Sequence, residues 1–270
     1  VGLLPLGVIG AHRLAAPTGS KRAQVAGAVA YAAVPLPYDA LSAGRWSALA
    51  AYAAAPWMLG RLARASGVVP FGPVTDPRDD EILPGGAADD LVVRHRLWKH
   101  VVVTGAVTAL AGLLVPQAPA LLVVMGGALA VGSVLAGEVR GVGRLVAATV
   151  GGAAVAVVLL LPTAIDVVSA PGGLVAWLGA DRGPEGLSAL DLLSLRTGPM
   201  ALVGVAFAVL GAAAVPLLVG HRWRLGWAVR GWTVAVVAWG LVWAHEQGWV
   251  TLRLPDAGVL LAPAGAGLAL

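Results

Sequence analysis

Apolar residues in this chain run in long blocks rather than alternating with polar ones. Residues 101–137, 145–165 and 197–220 hold no charged side chain. The first of these blocks is broken only by Pro116-Gln117-Ala118-Pro119, a turn signature that reads as a tight hairpin. A helix crossing a bilayer needs about 20 mainly apolar residues. On that measure the pattern predicts spans over residues 1–11, 23–38, 46–60, 101–115, 119–137, 145–165, 199–219, 231–245 and 258–270. The stretches 23–38 and 46–60 are short and carry Pro35, Pro37 and Pro56 near their ends, so they read either as two spans or as a re-entrant hairpin. The expected fold is all-α: a polytopic integral membrane helical bundle of about eight or nine transmembrane helices, forming a single domain over residues 1–270. Val1 and Leu270 both fall inside apolar runs without a signal-peptide pattern. The chain therefore reads as an internal fragment of a longer protein, the alternative being a complete chain without its initiator methionine.

Composition agrees with the blocks. Charged residues make up 12% of the chain, about half the usual share for a soluble domain, and hydrophobic residues 59%. A soluble protein this apolar would expose large greasy patches. The chain has no cysteine, which excludes disulfides, thiolate metal sites and cysteine nucleophiles. With 16 Arg against 2 Lys and no Asn, it also carries the bias of a GC-rich bacterial genome.

The placement of charge adds an orientation. Cytoplasmic flanks of membrane spans are enriched in Lys and Arg. With residues 12–22 in the cytoplasm and strict alternation, segments 61–100, 138–144 and 220–230 fall inside, and 38–46, 116–119, 166–198 and 246–257 fall outside. Of the 18 basic residues, 14 then lie inside; Arg45, Arg182, Arg196 and Arg253 lie outside. This is the expectation for a multi-pass protein of the bacterial inner (plasma) membrane, with membrane lipids as partners. The high isoelectric point, near 10.1, is accounted for by these flanks and not by a nucleic-acid surface. Trp46, Trp57, Trp98, Trp177, Trp223, Trp227, Trp243 and Trp249 sit near predicted span ends, as interfacial anchors do, while Trp232 and Trp239 lie deeper. In the segment 61–100, Asp89 or Asp90 is a candidate cap for a short helix through Arg94–His100 on the inner headgroups. That stretch reads as an anchor or as a site for a phosphorylated lipid.

Few side chains suggest chemistry. Gly137–Gly143 lacks the strand–helix setting of a dinucleotide loop, whereas Ala128, Gly132 and Ala136 form a small-xxx-small packing stripe. The five histidines share no ligand spacing, so no metal site is expected. His245-Glu246 reads as surface polarity or as an acid–base pair. An ionisable group at membrane depth is a functional hypothesis by default. Asp39 follows the proline-broken Val34–Tyr38, and Arg45 precedes Trp46. Pro35–Trp46 thus reads either as the lining of an outward-facing cavity or as an exposed hairpin with a salt bridge. Asp166 follows Pro162 at the end of a span. The outer segment after it carries Asp181, Arg182, Glu185, Asp191 and Arg196. Residues 188–195 are expected to form a surface helix with Leu187, Leu190, Leu193 and Leu195 on its apolar face. Arginine suits phosphate, and carboxylate suits a hydroxyl as partner or general base. The candidates are therefore Asp39 and Asp166 as carboxylates, with Arg45, Arg182, Arg196, Asp181 and Asp191 as substrate- or phosphate-binding groups, against the default of solvated loops.

The segments Val34–Trp46 and Ala51–Trp57, with the tail Leu254–Pro263, resemble the membrane region of large actinobacterial glycosyltransferases of the family-2-annotated kind. The layout is similar to that of polytopic arabinosyl and mannosyl transferases that use polyprenyl-phosphate sugars. The resemblance implies cell-envelope glycan or glycolipid assembly, a polyprenyl-phosphate sugar donor and a glycan acceptor. No cofactor is identified, and a divalent metal is implied only through a further upstream domain. The family's D-x-D loop is absent, since Asp79-Asp80 and Asp89-Asp90 lack its strand context. Transfer at the outer face from a lipid-phosphate donor is the first reading. A transporter or flippase, and a passive membrane scaffold, are the alternatives.

Overall fold

A computed structural model describes residues 2–71, 87–169, 186–198, 203–220, 222–250 and 255–270, with backbone alone for 87–96, 166–168 and 203. Asp181, Arg182 and Trp177 lie outside the described residues. Among the described residues the structure is helical, without strands. The helices are α1 (Leu3–Leu14), α2 (Lys21–Ala33), α3 (Leu36–Ser42), α4 (Trp46–Ser66), α5 (Ala87–Gly112), α6 (Ala118–Leu135), α7 (Val142–Ser169), α8 (Ala189–Leu193), α9 (Val203–Val219), α10 (Trp223–Glu246) and α11 (Ala257–Leu268).

Three of them, Ala118–Leu135, Val142–Ile165 and Trp223–Glu246, are long and apolar enough to cross a membrane; Leu97–Gly112, Gly204–Val219 and Ala257–Leu268 are apolar but shorter. This falls short of the eight or nine spans expected. At about 1.5 Å per residue, α1 and α2 reach only about 18–20 Å, against a hydrocarbon core of about 30 Å. Helix α4 has the length, but it is alanine-rich and ends in Arg61 and Arg64.

Local sequence sets most of the boundaries. Ser20 caps α2 by accepting the Ala23 N–H at 3.3 Å. Val34-Pro35 then stops α2, because the residue before proline is driven out of the helical region; Val34 is extended, with ψ 133°. The prolines thus produce a short elbow, α3, between α2 and α4. Helix α5 runs unbroken from Ala87, so Asp89 and Asp90 lie inside it and do not cap a later helix. Helix α7 extends to Ser169, which puts Asp166 in its last turns rather than in a loop. Helix α8 is shorter than expected. Leu190 and Leu193 are exposed, while Leu192 and Leu195 pack inward.

Two helices form the centre. All twelve residues of α11 are buried. Helix α4 is buried along most of its length, between α1, α5, α7 and α11. Tyr31 of α2 and Tyr52 of α4 bind them reciprocally. The rings stack at 4.3 Å, Tyr52 Oη donates to Tyr31 O at 2.9 Å, and Tyr31 Oη donates to Tyr52 O. Both rings are fully buried. Tyr52→Phe is expected to cost about 1–2 kcal/mol, because it removes the shorter of the two bonds to the buried Tyr31 carbonyl and leaves only the Val34 N–H at 3.4 Å. Unfolding in detergent would measure this.

Around this centre the polarity is inverted. Helix α7 exposes Val146, Val150, Val157, Val158, Leu159 and Ile165, and α9 exposes Phe207, Val215 and Leu218. Asp39 and Arg230 are each 1% exposed. Apolar surface outside and ionisable groups inside is the arrangement a bilayer solvent favours. The helix ends sort into two sets. Residues 34–46 and 186–198 touch each other and are joined by Asp256 and Glu246; the turns at 66–71 and 137–144 likewise meet the start of α10.

Candidate functional site

At the first end, three segments distant in sequence meet over Asp39. The carboxylate accepts the Thr197 N–H on Oδ2 at 3.0 Å, and Gly198 packs directly on it; a Cβ on Gly198 would lie 2.8 Å from Oδ1. This geometry begins with α8. Ser188 and Asp191 form a capping box: Ser188 Oγ accepts the Asp191 N–H at 3.2 Å, and Asp191 Oδ2 accepts the Ser188 N–H at 3.1 Å. The helix ends at Leu195 in the left-handed region, φ 54°, with the Arg196 N–H donating back to Asp191 O at 2.9 Å. That reversal turns Thr197 onto Asp39. Glu246, of the His245-Glu246 pair, instead accepts the Gly186 and Leu187 N–H groups, at 2.9 and 3.2 Å, and fixes the approach to α8.

The arginines of this end are engaged. Arg45 Nη1 lies 3.5 Å from Asp256 Oδ1, and the same oxygen caps α11 by accepting the Gly258 N–H at 2.8 Å. Arg196 Nη1 lies 3.4 Å from Asp191 Oδ1. Hydrogen bonds from the Ser188 hydroxyl, and then from its N–H, hold the Asp191 carboxyl below the usual carboxylate range. Burial is the next largest effect after the hydroxyl and opposes it; Arg196 adds a smaller lowering. Arg196 Nε and Thr197 Oγ1 are buried without a hydrogen-bond partner among the described residues. Of the sequence candidates, the fold therefore gathers Asp39, Arg45, Asp191 and Arg196 at one end and adds Asp256 and Thr197. Of Asp166 only the backbone is described, in α7. Among the described residues no group of three His, Asp or Glu side chains is placed to hold a metal ion.

The opposite end holds a charge the sequence reading assigned to a loop. Helix α10 starts at Trp223, so Arg230 lies two turns inside it. Arg230 Nε donates to Ser133 Oγ at 2.9 Å, Nη2 donates to Glu138 Oε2 at 3.1 Å, and the guanidinium covers the Trp227 ring at 4.6 Å. Trp227, expected at an interface, is buried and donates Nε1–H to Val69 O at 2.7 Å. The small-residue stripe allows the approach: a Cβ on Gly132 would come within 2.8 Å of Arg230 Cα. Spacing held a signal here, since Trp223, Trp227 and Arg230 are an i, i+4, i+7 stripe that fits the start of a helix.

Two cavities flank this end. One, of about 390 Å³, lies between α2, α9, α10 and α11. Its walls include Ala30, Ala213 and Trp232, with Ser20 and Arg224 at one end. The other, of about 500 Å³, lies between the end of α6 and the start of α10, beside Glu138 and Arg222. No family model, curated protein or solved structure matches the chain.

Proposed function

We propose that the chain is the membrane domain of a glycosyltransferase-like protein of bacterial cell-envelope glycan or glycolipid assembly. In this proposal the helices beyond the three long apolar ones also cross or enter the bilayer, with the Arg230 end cytoplasmic and the Asp39 end outside. One observation carries the reading. A buried carboxylate, Asp39, is covered by a segment whose Arg196 Nε and Thr197 Oγ1 are buried and lack partners among the described residues. Buried polar atoms are normally paired, and exceptions call for an explanation such as a polar ligand. In the proposed reaction Arg45 and Arg196 hold the phosphate of a polyprenyl-phosphate sugar. An acceptor hydroxyl oxygen bonds to the anomeric carbon, the bond from that carbon to the phosphate oxygen breaks, and the lipid phosphate leaves with the electron pair. Asp39 receives the hydroxyl proton.

A second reading is a lipid-holding module whose chemistry lies elsewhere. The apolar cavity favours it, because its walls run inward from Ser20 and Arg224 as an anionic amphiphile would require. The two readings separate in membranes containing Asp39→Asn or Arg45→Gln within the full-length protein, supplied with a radiolabelled polyprenyl-phosphate sugar. The first reading expects transfer to fall at least about 100-fold for D39N, the scale of a lost general base, with the melting temperature followed in parallel. Wild-type transfer by both variants would remove the outer site and leave the second reading.

A further inference from the structure

Four helices bring cations together at the end opposite Asp39, with no counter-charge among their described side chains there. Trp57, Arg61 and Arg64 form an i, i+4, i+7 stripe on α4. Helix α1 lays Arg13 over this stripe, its guanidinium 5.5 Å from the Trp57 ring centroid. Helix α5 brings His100 to the other side. Burial, then Arg61 and Arg64, push the His100 imidazole below its ordinary value. Burial, then Arg61 and Arg13, do the same to the Arg64 guanidinium. On α7, Arg144 reaches the C-cap of α4, where a Cβ on Gly67 would lie 3.1 Å from its Nη1.

Among the described side chains, carboxylates are scarce in the same region. Residues 1–38 and 40–75 contain no Asp or Glu. The one acidic side chain described at this end, Glu138, pairs with Arg230. Asp89 and Asp90 stand nearly three turns away from His100 along α5. The α4 C-terminus attracts a cation, but the effect is confined to the last turn and does not account for Arg13 and Arg61.

We infer that Arg13, Arg61 and Arg64, with His100 beside them, form a binding site for a phosphate group. Guanidinium forks fit phosphate oxygens bidentately, and Trp57 holds Arg13 in place. The phosphate belongs either to a lipid headgroup or to a soluble pyrophosphate. The inference does not depend on chemistry at the Asp39 end.

The test uses the full chain, histidine-labelled, in phosphatidylcholine nanodiscs, in nanodiscs containing phosphatidic acid, and in phosphatidylcholine with added inorganic pyrophosphate. NMR follows the His100 titration. A bound phosphate raises the His100 pKa, because an adjacent anion favours imidazolium. A rise with phosphatidic acid alone assigns the headgroup, and a rise with pyrophosphate alone assigns the soluble anion. Affinity is expected to drop at least about tenfold in R61Q/R64Q, the loss of one charge-assisted contact. R61K/R64K should recover part of it, and R140Q, at an exposed position outside the cluster, should stay within about twofold. An unmoved His100 titration in all three media would overturn the inference, as would wild-type binding by R61Q/R64Q.

Discussion

Replacing Glu138 with alanine is expected to destabilise the bundle by roughly 2–4 kcal/mol, more than replacing Arg230 with methionine. The order runs against exposure: the Glu138 side chain is 43% exposed and that of Arg230 only 2%. Burial decides what remains after each change. Glu138→Ala leaves a guanidinium enclosed by Trp227 and Ser133 with no negative partner, and its Nη1 already lacks a hydrogen-bond acceptor. A buried charge stripped of its partner is costly, and the figure is set below the full range because water reaches Glu138. Arg230→Met leaves a carboxylate that turns to solvent and an apolar chain of similar length against Trp227. Its expected cost is about 1 kcal/mol, mostly the lost bond to Ser133. Unfolding titrations in detergent compare the two, and a larger loss for Arg230→Met would show that Glu138 does not compensate the guanidinium.

The second large effect lies where α10 crosses α11. Gly231 and Gly267 face each other, backbone to backbone. A Cβ on Gly267 would lie 2.5 Å from the Gly231 carbonyl oxygen and 3.2 Å from Val234 Cβ. No side-chain rotation relieves a clash with backbone, so the helices must separate. Helix α11 is buried all round, which leaves it no free side to move toward. Gly267→Ala is expected to cost about 3 kcal/mol, the upper part of the overpacking range. Gly127→Ala is the control. Its Cβ would meet nothing within 4 Å, so it should be neutral or should stabilise by up to about 1 kcal/mol through helix propensity. Equal melting temperatures for G267A and G127A would contradict the close crossing.

Sequence reading recovered the apolar helices, because block length is local, but it read Pro35–Trp46 as a cavity lining or an exposed hairpin, where the structure has the short helix α3. It also placed Asp39, Arg45, Asp191 and Arg196 on segments that meet, since alternation along the chain assigned them all to one side. It missed what depends on tertiary neighbours. Arg230 was read as a loop residue because arginines tend to mark span ends, and nothing local announces that Ser133 and Glu138 would be waiting for it. The Gly231–Gly267 crossing joins residues from different helices and leaves no periodic trace in either. Among the described residues only three of the eight or nine expected spans are long and apolar enough to cross a membrane, because apolar composition does not distinguish a lipid-facing helix from a short one enclosed by protein. Helix α11, apolar, twelve residues long and fully buried, is the plainest case.

We propose a membrane bundle whose Arg230 end is cytoplasmic and whose Asp39 end is not. The chain contains no cysteine, so a single introduced one reports its own position. Lys21→Cys and Val139→Cys probe one end; Ala43→Cys and Gln247→Cys probe the other, all at exposed positions. The deciding measurement is labelling by a membrane-impermeant maleimide in intact cells and again after lysis. The account predicts that residues 43 and 247 label in intact cells and that 21 and 139 label only after lysis. Labelling of all four in intact cells, of none, or of the 21 and 139 pair alone would contradict it.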